Sequence, residues 1–142
     1  MKTKRSKEIM NLTNGTYHIV NVETKFRLDG NKERKVYGHD ANGGGFQDWQ
    51  LIKVEKFDNR FFIQSKETQL FLDANSNKEV YGHEGNKGEN QIWIIEENSD
   101  KTYRLLNLAT DAVLDGNHDE KIYCSTPNDG NFQKWRFQLV SE

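Results

Sequence analysis

The triplet Gln47-Asp48-Trp49 occurs twice more in this chain with only its middle residue changed, as Gln91-Ile92-Trp93 and Gln133-Lys134-Trp135. These triplets contain all three tryptophans of the 142 residues, and they recur 44 and then 42 residues apart. A fixed period of this length is the signature of a repeat architecture, in which one unit cannot bury its apolar face alone and packs against its copies. The chain is therefore one unit of about that length written three times.

The repeat extends well beyond the triplets. Each unit opens on an aromatic residue, has an Asp twelve residues later, and then a Tyr, an Asn and the triplet Gln at eight, thirteen and eighteen residues after that Asp. The spacings are identical in all three units, and only the segment between each Trp and the next aromatic changes length. The recurring residues are Tyr17, Phe61 and Tyr103; Asp29, Asp73 and Asp115; Tyr37, Tyr81 and Tyr123; and Asn42, Asn86 and Asn128. The repeats are predicted at about residues 15–58, 59–100 and 101–142.

Each unit contains four short apolar stretches separated by polar turns, which predicts four strands per unit. In the first unit these are residues 17–22, 26–28, 35–39 and 49–54, and no window has a helical period long enough to predict a helix. Twelve strands in three units is the count for a six-stranded barrel capped by three hairpins. The sequence therefore predicts an all-β protein, a β-trefoil with three pseudo-symmetric four-stranded repeats.

Composition limits the class of protein and its partners. The length suits a single domain, predicted over residues 15–142, with residues 1–14 as a basic and flexible tail. A net charge of −2 gives no reason to expect a nucleic acid partner, and no segment approaches membrane-spanning length. The single cysteine, Cys124, excludes an internal disulfide framework. No apolar run follows the basic start, so no secretory signal is expected, and a cytoplasmic or non-classically secreted protein is predicted.

The Gln-x-Trp triplets, one at the end of each unit, resemble those of the ricin B-type lectin family, and the resemblance covers roughly residues 15–140. It implies a multivalent carbohydrate-binding protein for galactose-type or GalNAc-type sugars, whose partners are glycans or glycoconjugates. In that family an Asp at this place in the unit, an aromatic on the following strand and an Asn before the triplet Gln hold the sugar. Asp29, Asp73 and Asp115 match the aspartate, and His39 and His83 fall where the stacking ring lies. The Asn is present only as Asn90, since Phe46 and Phe132 replace it in the other units.

The residues themselves favour the same chemistry. Alternation along the third strand turns Tyr37 and His39 away from the core residue Val36, and Asp29 lies across the hairpin from them. A carboxylate accepts from two adjacent hydroxyls, a ring covers the C–H face of a pyranose, and an amide binds a further hydroxyl. A purely local role for the Asp as a turn former is the alternative, and the Tyr rings fit the rim of the core equally well. The predicted carbohydrate-binding residues are Asp29, Asn31, Tyr37, His39, Asn42, Gln47, Asp73, Asn75, Tyr81, His83, Asn86, Asn90, Gln91, Asp115, Asn117, Tyr123, Asn128 and Gln133.

Catalysis has little support in the sequence. There is no nucleophile with a base at a recognisable spacing, no phosphate-binding glycine motif and no metal-ligand cluster, so neither an enzyme nor a cofactor is expected. His39 and His83 occupy equivalent places in different repeats, too far apart to share a metal ion. Two other binding functions are alternatives: a cytokine-like or inhibitor-like trefoil that binds a protein, and an acidic-polysaccharide binder that uses Lys32, Arg34, Lys35 and the basic N-terminal residues.

Overall fold

The computed structural model of the protein describes residues 12–142, and these residues form twelve strands. The first repeat contributes β1 (Gly15–Asn21), β2 (Arg27–Gly30), β3 (Val36–His39) and β4 (Trp49–Lys53). The second contributes β5 (Arg60–Ser65), β6 (Phe71–Ala74), β7 (Val80–His83) and β8 (Trp93–Glu97). The third contributes β9 (Tyr103–Asn107), β10 (Val113–Gly116), β11 (Ile122–Ser125) and β12 (Trp135–Ser141).

Six of these strands close into a barrel by antiparallel pairing in the cyclic order β1, β4, β5, β8, β9, β12 and back to β1. The remaining strands form three hairpins, β2 with β3, β6 with β7 and β10 with β11. The hairpins are joined to one another by the bridges Lys35↔Tyr81, Tyr37↔Lys121 and Glu79↔Tyr123. A six-stranded barrel capped by a triangle of hairpins is a β-trefoil, so the predicted fold is confirmed.

The three triplet tryptophans fill the core. Trp49, Trp93 and Trp135 are at most 1% exposed. Each indole Nε1–H donates to the backbone carbonyl of the leucine before the repeat's Asp, at 2.9, 3.0 and 3.1 Å for Leu28, Leu72 and Leu114. A buried indole needs such an acceptor, and one equivalent filler per repeat follows from the three-fold closure. The prediction that these residues are core residues is confirmed.

The start of the folded body differs from the predicted boundary. Leu12 is 5% exposed and belongs to the core, and the Asn14 side-chain Oδ1 accepts a bond from the Lys53 N–H at 2.8 Å. Residues 12–14, which the sequence assigned to the tail, therefore pack against the domain. Residues 1–11, the rest of the predicted tail, lie outside the described residues.

One further feature was absent from the sequence prediction. A single 3-10 turn precedes β4, β8 and β12, at Gly45–Gln47, Glu89–Gln91 and Asn131–Gln133. Each turn ends on the triplet Gln, and it therefore sets the position at which that side chain enters the protein. The same turn in all three repeats gives the three glutamines equivalent surroundings.

Candidate functional site

The triplet Gln lies at the centre of the same polar network in every repeat. In the first, Gln47 Nε2 donates to Asp29 Oδ2 at 3.0 Å and to the backbone carbonyl of Asp40 at 2.9 Å, and Gln47 Oε1 accepts from the Asn42 N–H at 3.1 Å. Gln91 and Gln133 repeat the pattern, with 2.9 Å bonds to Asp73 and Asp115. The carboxylate of each repeat is therefore held by a side-chain amide.

This network corrects the predicted role of the glutamines. Gln47, Gln91 and Gln133 are 0%, 0% and 2% exposed, and both ends of each amide are hydrogen-bonded inside the protein. Buried polar groups need such partners, and the amide groups of these side chains find theirs inside the protein. They are positioning residues that orient the Asp and fix the loop before the 3-10 turn, rather than sugar contacts.

Each aspartate lies beside the tyrosine that follows it in the repeat. The cross-strand pairs are Asp29 with Tyr37, Asp73 with Tyr81 and Asp115 with Tyr123. Directly opposed residues of an antiparallel pair project from the same face, so carboxylate and ring are neighbours. The aspartates are only 4%, 5% and 7% exposed, and a ligand can therefore approach them from one side only.

The ionisation of these groups reflects their burial. Burial raises the pKa of Asp29, and the Gln47 bond, the charge of His39 and the Gly30 N–H partly oppose that rise. Burial also raises the pKa of Tyr37, Tyr81 and Tyr123, and the carboxylate of the same repeat raises it further. The carboxylate therefore raises the pKa of the phenol beside it in all three repeats.

The histidines form the exposed edge of the first two sites. The His39 and His83 side chains are each 46% exposed, and the Tyr37 and His39 rings meet edge to face with centroids 6.3 Å apart. Ser125 takes the equivalent place in the third repeat and is half-buried. His39 Nδ1 lies 3.6 Å from Glu120 Oε2 and His83 Nδ1 lies 3.1 Å from the Glu84 carbonyl, so two repeats present a partly exposed imidazole ring at this edge and one does not.

The predicted asparagines all have local backbone partners. Oδ1 of Asn31, Asn75 and Asn117 accepts two N–H bonds each within the hairpin turn, at 2.8–3.1 Å. Oδ1 of Asn42, Asn86 and Asn128 accepts from the glycine two residues on, at 2.7–2.8 Å. Asn90 Nδ2 donates to the Ala74 carbonyl at 2.6 Å. The Oδ1 bonds are typical of Asx turns, whereas the Asn90 bond reaches a residue sixteen positions away, and any additional contact of these side chains with a ligand stays a prediction.

Sequence reasoning missed one residue at the first site. Arg27 Nη1 donates to the Asn42 carbonyl at 3.2 Å and to Gln47 Oε1 at 3.3 Å, so a guanidinium lies next to the acid network of that repeat alone. The equivalent residues are Phe71 and Val113. An alignment of the three repeats could have identified this position, because its residue is charged in one repeat and apolar in the other two while the neighbouring positions stay apolar.

Other kinds of site find no support in the described part of the chain. Residues 12–142 contain no group of three or more His, Cys, Asp or Glu residues arranged to hold a metal ion. Among the same residues no helix has the length and apolar character needed to cross a membrane. The Cys124 thiol is buried, and burial raises its pKa to about 12.

Comparison with known proteins identifies the family. Residues 45–130 match the family model described as "Ricin-type beta-trefoil lectin domain-like". The chain belongs to this family. No curated protein matches the chain.

Solved structures share the fold over nearly the whole chain. ThreeFoil, a designed 3-fold symmetric protein, superimposes with a TM-score of 0.81 at 20% identity over 89% of this chain and 99% of its own. SeviL bound to asialo-GM1 saccharide has a TM-score of 0.76 at 22% identity, over 90% and 99%. A mosquitocidal holotoxin has a TM-score of 0.83 at 26% identity over 91% of this chain, which corresponds to 18% of the toxin chain. The first two likenesses show the β-trefoil fold and no more.

Proposed function

We propose that this lectin-family protein binds carbohydrate without catalysing a reaction, at up to three sites, one in each repeat. The observation that carries the proposal is the set of three carboxylates, Asp29, Asp73 and Asp115, each oriented by a buried glutamine beside a tyrosine ring. SeviL, a relative in fold, has been solved with a bound saccharide, which supports the same kind of ligand here.

A carboxylate is a costly acceptor for a purely structural role. Each accepts a bond from a neutral glutamine amide, and an asparagine oxygen would accept the same bond without the cost of removing a charge from water. That cost is present at Asp29, where burial raises the pKa of the carboxyl group. A charge kept in this setting is useful to a ligand that donates hydrogen bonds, because bonds to a carboxylate are the stronger kind.

A pyranose fits the remaining groups. Two adjacent hydroxyls can donate to one carboxylate, and the exposed ring of His39 or His83 can cover the C–H face of the sugar. We propose sugars of the galactose or GalNAc type as the ligands. The first and second repeats are expected to bind best, since Ser125 leaves the third without a ring at this edge.

Affinity is expected to come from the number of sites. A single shallow sugar site with millimolar dissociation is worth about −4 kcal/mol. Several sites on one rigid barrel raise the apparent affinity when a branched or clustered glycan reaches two of them together. Crosslinking or agglutination of glycan-bearing particles is therefore the expected activity.

The acidic-polysaccharide alternative is weakened by an ion pair. Both guanidinium nitrogens of Arg34 donate to the Glu84 carboxylate, with Nη1 and Oε1 2.8 Å apart, and this bond holds the pKa of Glu84 at about 2. One of the cations expected to bind the polysaccharide is thus already partnered within the protein.

The test removes the negative charge of two aspartates and keeps the shape of their side chains. Asp29→Asn and Asp73→Asn, made together, leave an oxygen that can still accept the bond from the glutamine, and Asp58→Asn in an exposed loop is the matched control. The expected result on a glycan array is a loss of at least about tenfold in signal for the double variant and none for the control. Unchanged binding by a folded double variant would exclude these acids as the ligand contacts.

A further inference from the structure

The outer face of the barrel beside each candidate site is built from three equivalent positions. One lies on the last strand of the preceding repeat, one on the first strand of the repeat and one at the start of its second strand. Beside the second site these are Ile52, Phe62 and Phe71; beside the third they are Glu96, Arg104 and Val113; beside the first they are Gln138, His18 and Arg27. The first two members of each set are directly paired across neighbouring strands.

The other two repeats show that the fold does not need apolar residues here. In the third, Arg104 and Glu96 form an ion pair at 2.7 Å. In the first, His18 bonds to the Asp48 carboxylate at 2.9 Å. The same barrel positions therefore tolerate polar and charged side chains, so the fold alone does not require the apolar set of the second repeat.

In the second repeat these side chains line a pocket. The Phe62 and Phe71 rings meet edge to face with centroids 6.0 Å apart, and together with Ile52 they line a cavity of about 380 Å³. All three are half-buried, so the apolar surface is accessible. We call this cavity, completed by Gly85, Lys87 and Gln91, the second-repeat pocket.

A glycine makes room for the Phe71 ring. A Cβ atom added at Gly85 would lie 2.6 Å from Phe71 Cε1, closer than real side chains approach. The other repeats have Ala41 and Pro127 at this position, opposite Arg27 and Val113 rather than a phenylalanine. Residues 71 and 85 therefore differ from the other repeats together, as a matched pair that shapes the pocket.

The second-repeat pocket adjoins the candidate sugar site. Gln91 lines the pocket and also donates to Asp73 Oδ2 at 2.9 Å. Phe71 and Asp73 are two residues apart on β6, which places their side chains on one face about 6.5 Å apart along the strand. A sugar bound at Asp73 thus brings the substituent on its neighbouring carbon within reach of the Phe71 ring.

Building on the proposed function, we propose that the second repeat selects a 2-acetamido sugar, whose methyl group enters the second-repeat pocket. The acetamido group ends in a methyl group beyond a planar amide, and this reach suits the distance between acid and ring. Its carbonyl can accept a bond from the ammonium group of Lys87 at the pocket wall. The equivalent residues, Gly43 and Asp129, offer no such donor, so the selectivity belongs to this repeat.

The experiment isolates one site and compares paired sugars. Asp29→Asn and Asp115→Asn remove sugar binding by the first and third repeats. Calorimetry then compares the affinity for galactose with that for GalNAc, and the affinity for glucose with that for GlcNAc. Phe71→Val introduces the residue of the third repeat, and Gly85→Ala introduces that of the first. Phe57→Val, at a 42% exposed phenylalanine outside the three sites, makes the same chemical change as a control.

We expect the single-site protein to prefer the acetamido sugar by about fourfold to tenfold, since one buried methyl is worth about fourfold. Phe71→Val and Gly85→Ala should remove that preference and leave affinity for the plain sugar unchanged, and Phe57→Val should keep both. Equal affinity for paired sugars, or a preference that survives both variants, overturns the inference and leaves sugar binding intact. If the protein prefers a phenyl glycoside but does not prefer the acetamido sugar, the pocket binds an aglycone, and this result also overturns the inference. Absence of binding to all four sugars instead counts against the proposed function.

Discussion

Replacing Gln133 with methionine tests whether the triplet glutamine holds the acid network together. Methionine has a similar length and volume but cannot form the three bonds that Gln133 makes, to Asp115 Oδ2 at 2.9 Å, to the Thr126 carbonyl at 3.0 Å and from the Asn128 N–H at 2.7 Å. The third repeat suits this change best, because it has no guanidinium at the position equivalent to Arg27 that could replace the lost hydrogen bonds. The variant therefore measures the network with little change in packing.

The expected cost follows from the bonds lost. The two neutral hydrogen bonds are worth about 1 kcal/mol each, and the bond to the carboxylate about 1.5–3 kcal/mol. Asp115 is 7% exposed, so water replaces the lost donor only in part. We expect the free energy of unfolding to fall by about 3–5 kcal/mol, which corresponds to about 10–15 °C in Tm for a domain of this size. A typical domain has about 5–15 kcal/mol of stability, so the variant should still fold.

The assay is urea unfolding of four proteins: the parent, Gln133→Met, Asp115→Asn and the double variant. In the double variant the buried charge of Asp115 is absent, so the loss of the Gln133 donor leaves no charge unpaired. Its loss of unfolding free energy should therefore be smaller than the sum of the two single losses by about 1–2 kcal/mol. A loss below about 1 kcal/mol for Gln133→Met, or strictly additive effects, would refute the assignment of Gln133 as the group that holds the acid.

Two further predictions concern ionisation. Burial raises the pKa of Asp29 above its unfolded value of about 3.9, so the stability it contributes at low pH is lost as the pH rises through the folded pKa. The unfolding free energy of the parent should therefore fall relative to that of Asp29→Asn as the pH rises above the unfolded pKa, and a relative rise in urea titrations would contradict the raised pKa. The buried Cys124 thiol, with its pKa raised to about 12, should resist iodoacetamide at pH 8 in the folded protein and react in denaturant. Mass spectrometry decides this, and rapid labelling of the native protein would show that the thiol is open to solvent.

Much of the fold could be read from spacing. The register of the triplets, aromatics and acids fixed the number of repeats, and period-2 alternation located the strands to within a few residues. The tryptophans could be assigned to the core because a three-fold closure needs one large filler per repeat, and the structure confirms it. Leu12 was misassigned to the tail, because no local pattern marks a lone buried leucine.

The candidate site could be predicted only in outline. The pairing of Asp29 with Tyr37 followed from hairpin geometry, and the structure has that pairing. The burial of Gln47 could not be predicted from the sequence. A strand pattern predicts the face on which a residue lies, but it does not predict which hydrogen-bond donors and acceptors surround the side chain. Sequence placed the glutamines among the ligand contacts, whereas the 3-10 turn before β4 directs Gln47 inward to the acid.

The sequence by itself determined that three copies of one unit close into a barrel and that each carries the same acid, ring and amides. Only the tertiary structure decided which side chains of different repeats become neighbours. Ile52 belongs to the first repeat, yet it faces Phe62 of the second because β4 pairs with β5. Strand pairing between repeats depends on the closed barrel as a whole. A pocket formed where two repeats pair therefore cannot be predicted from the sequence of either repeat alone.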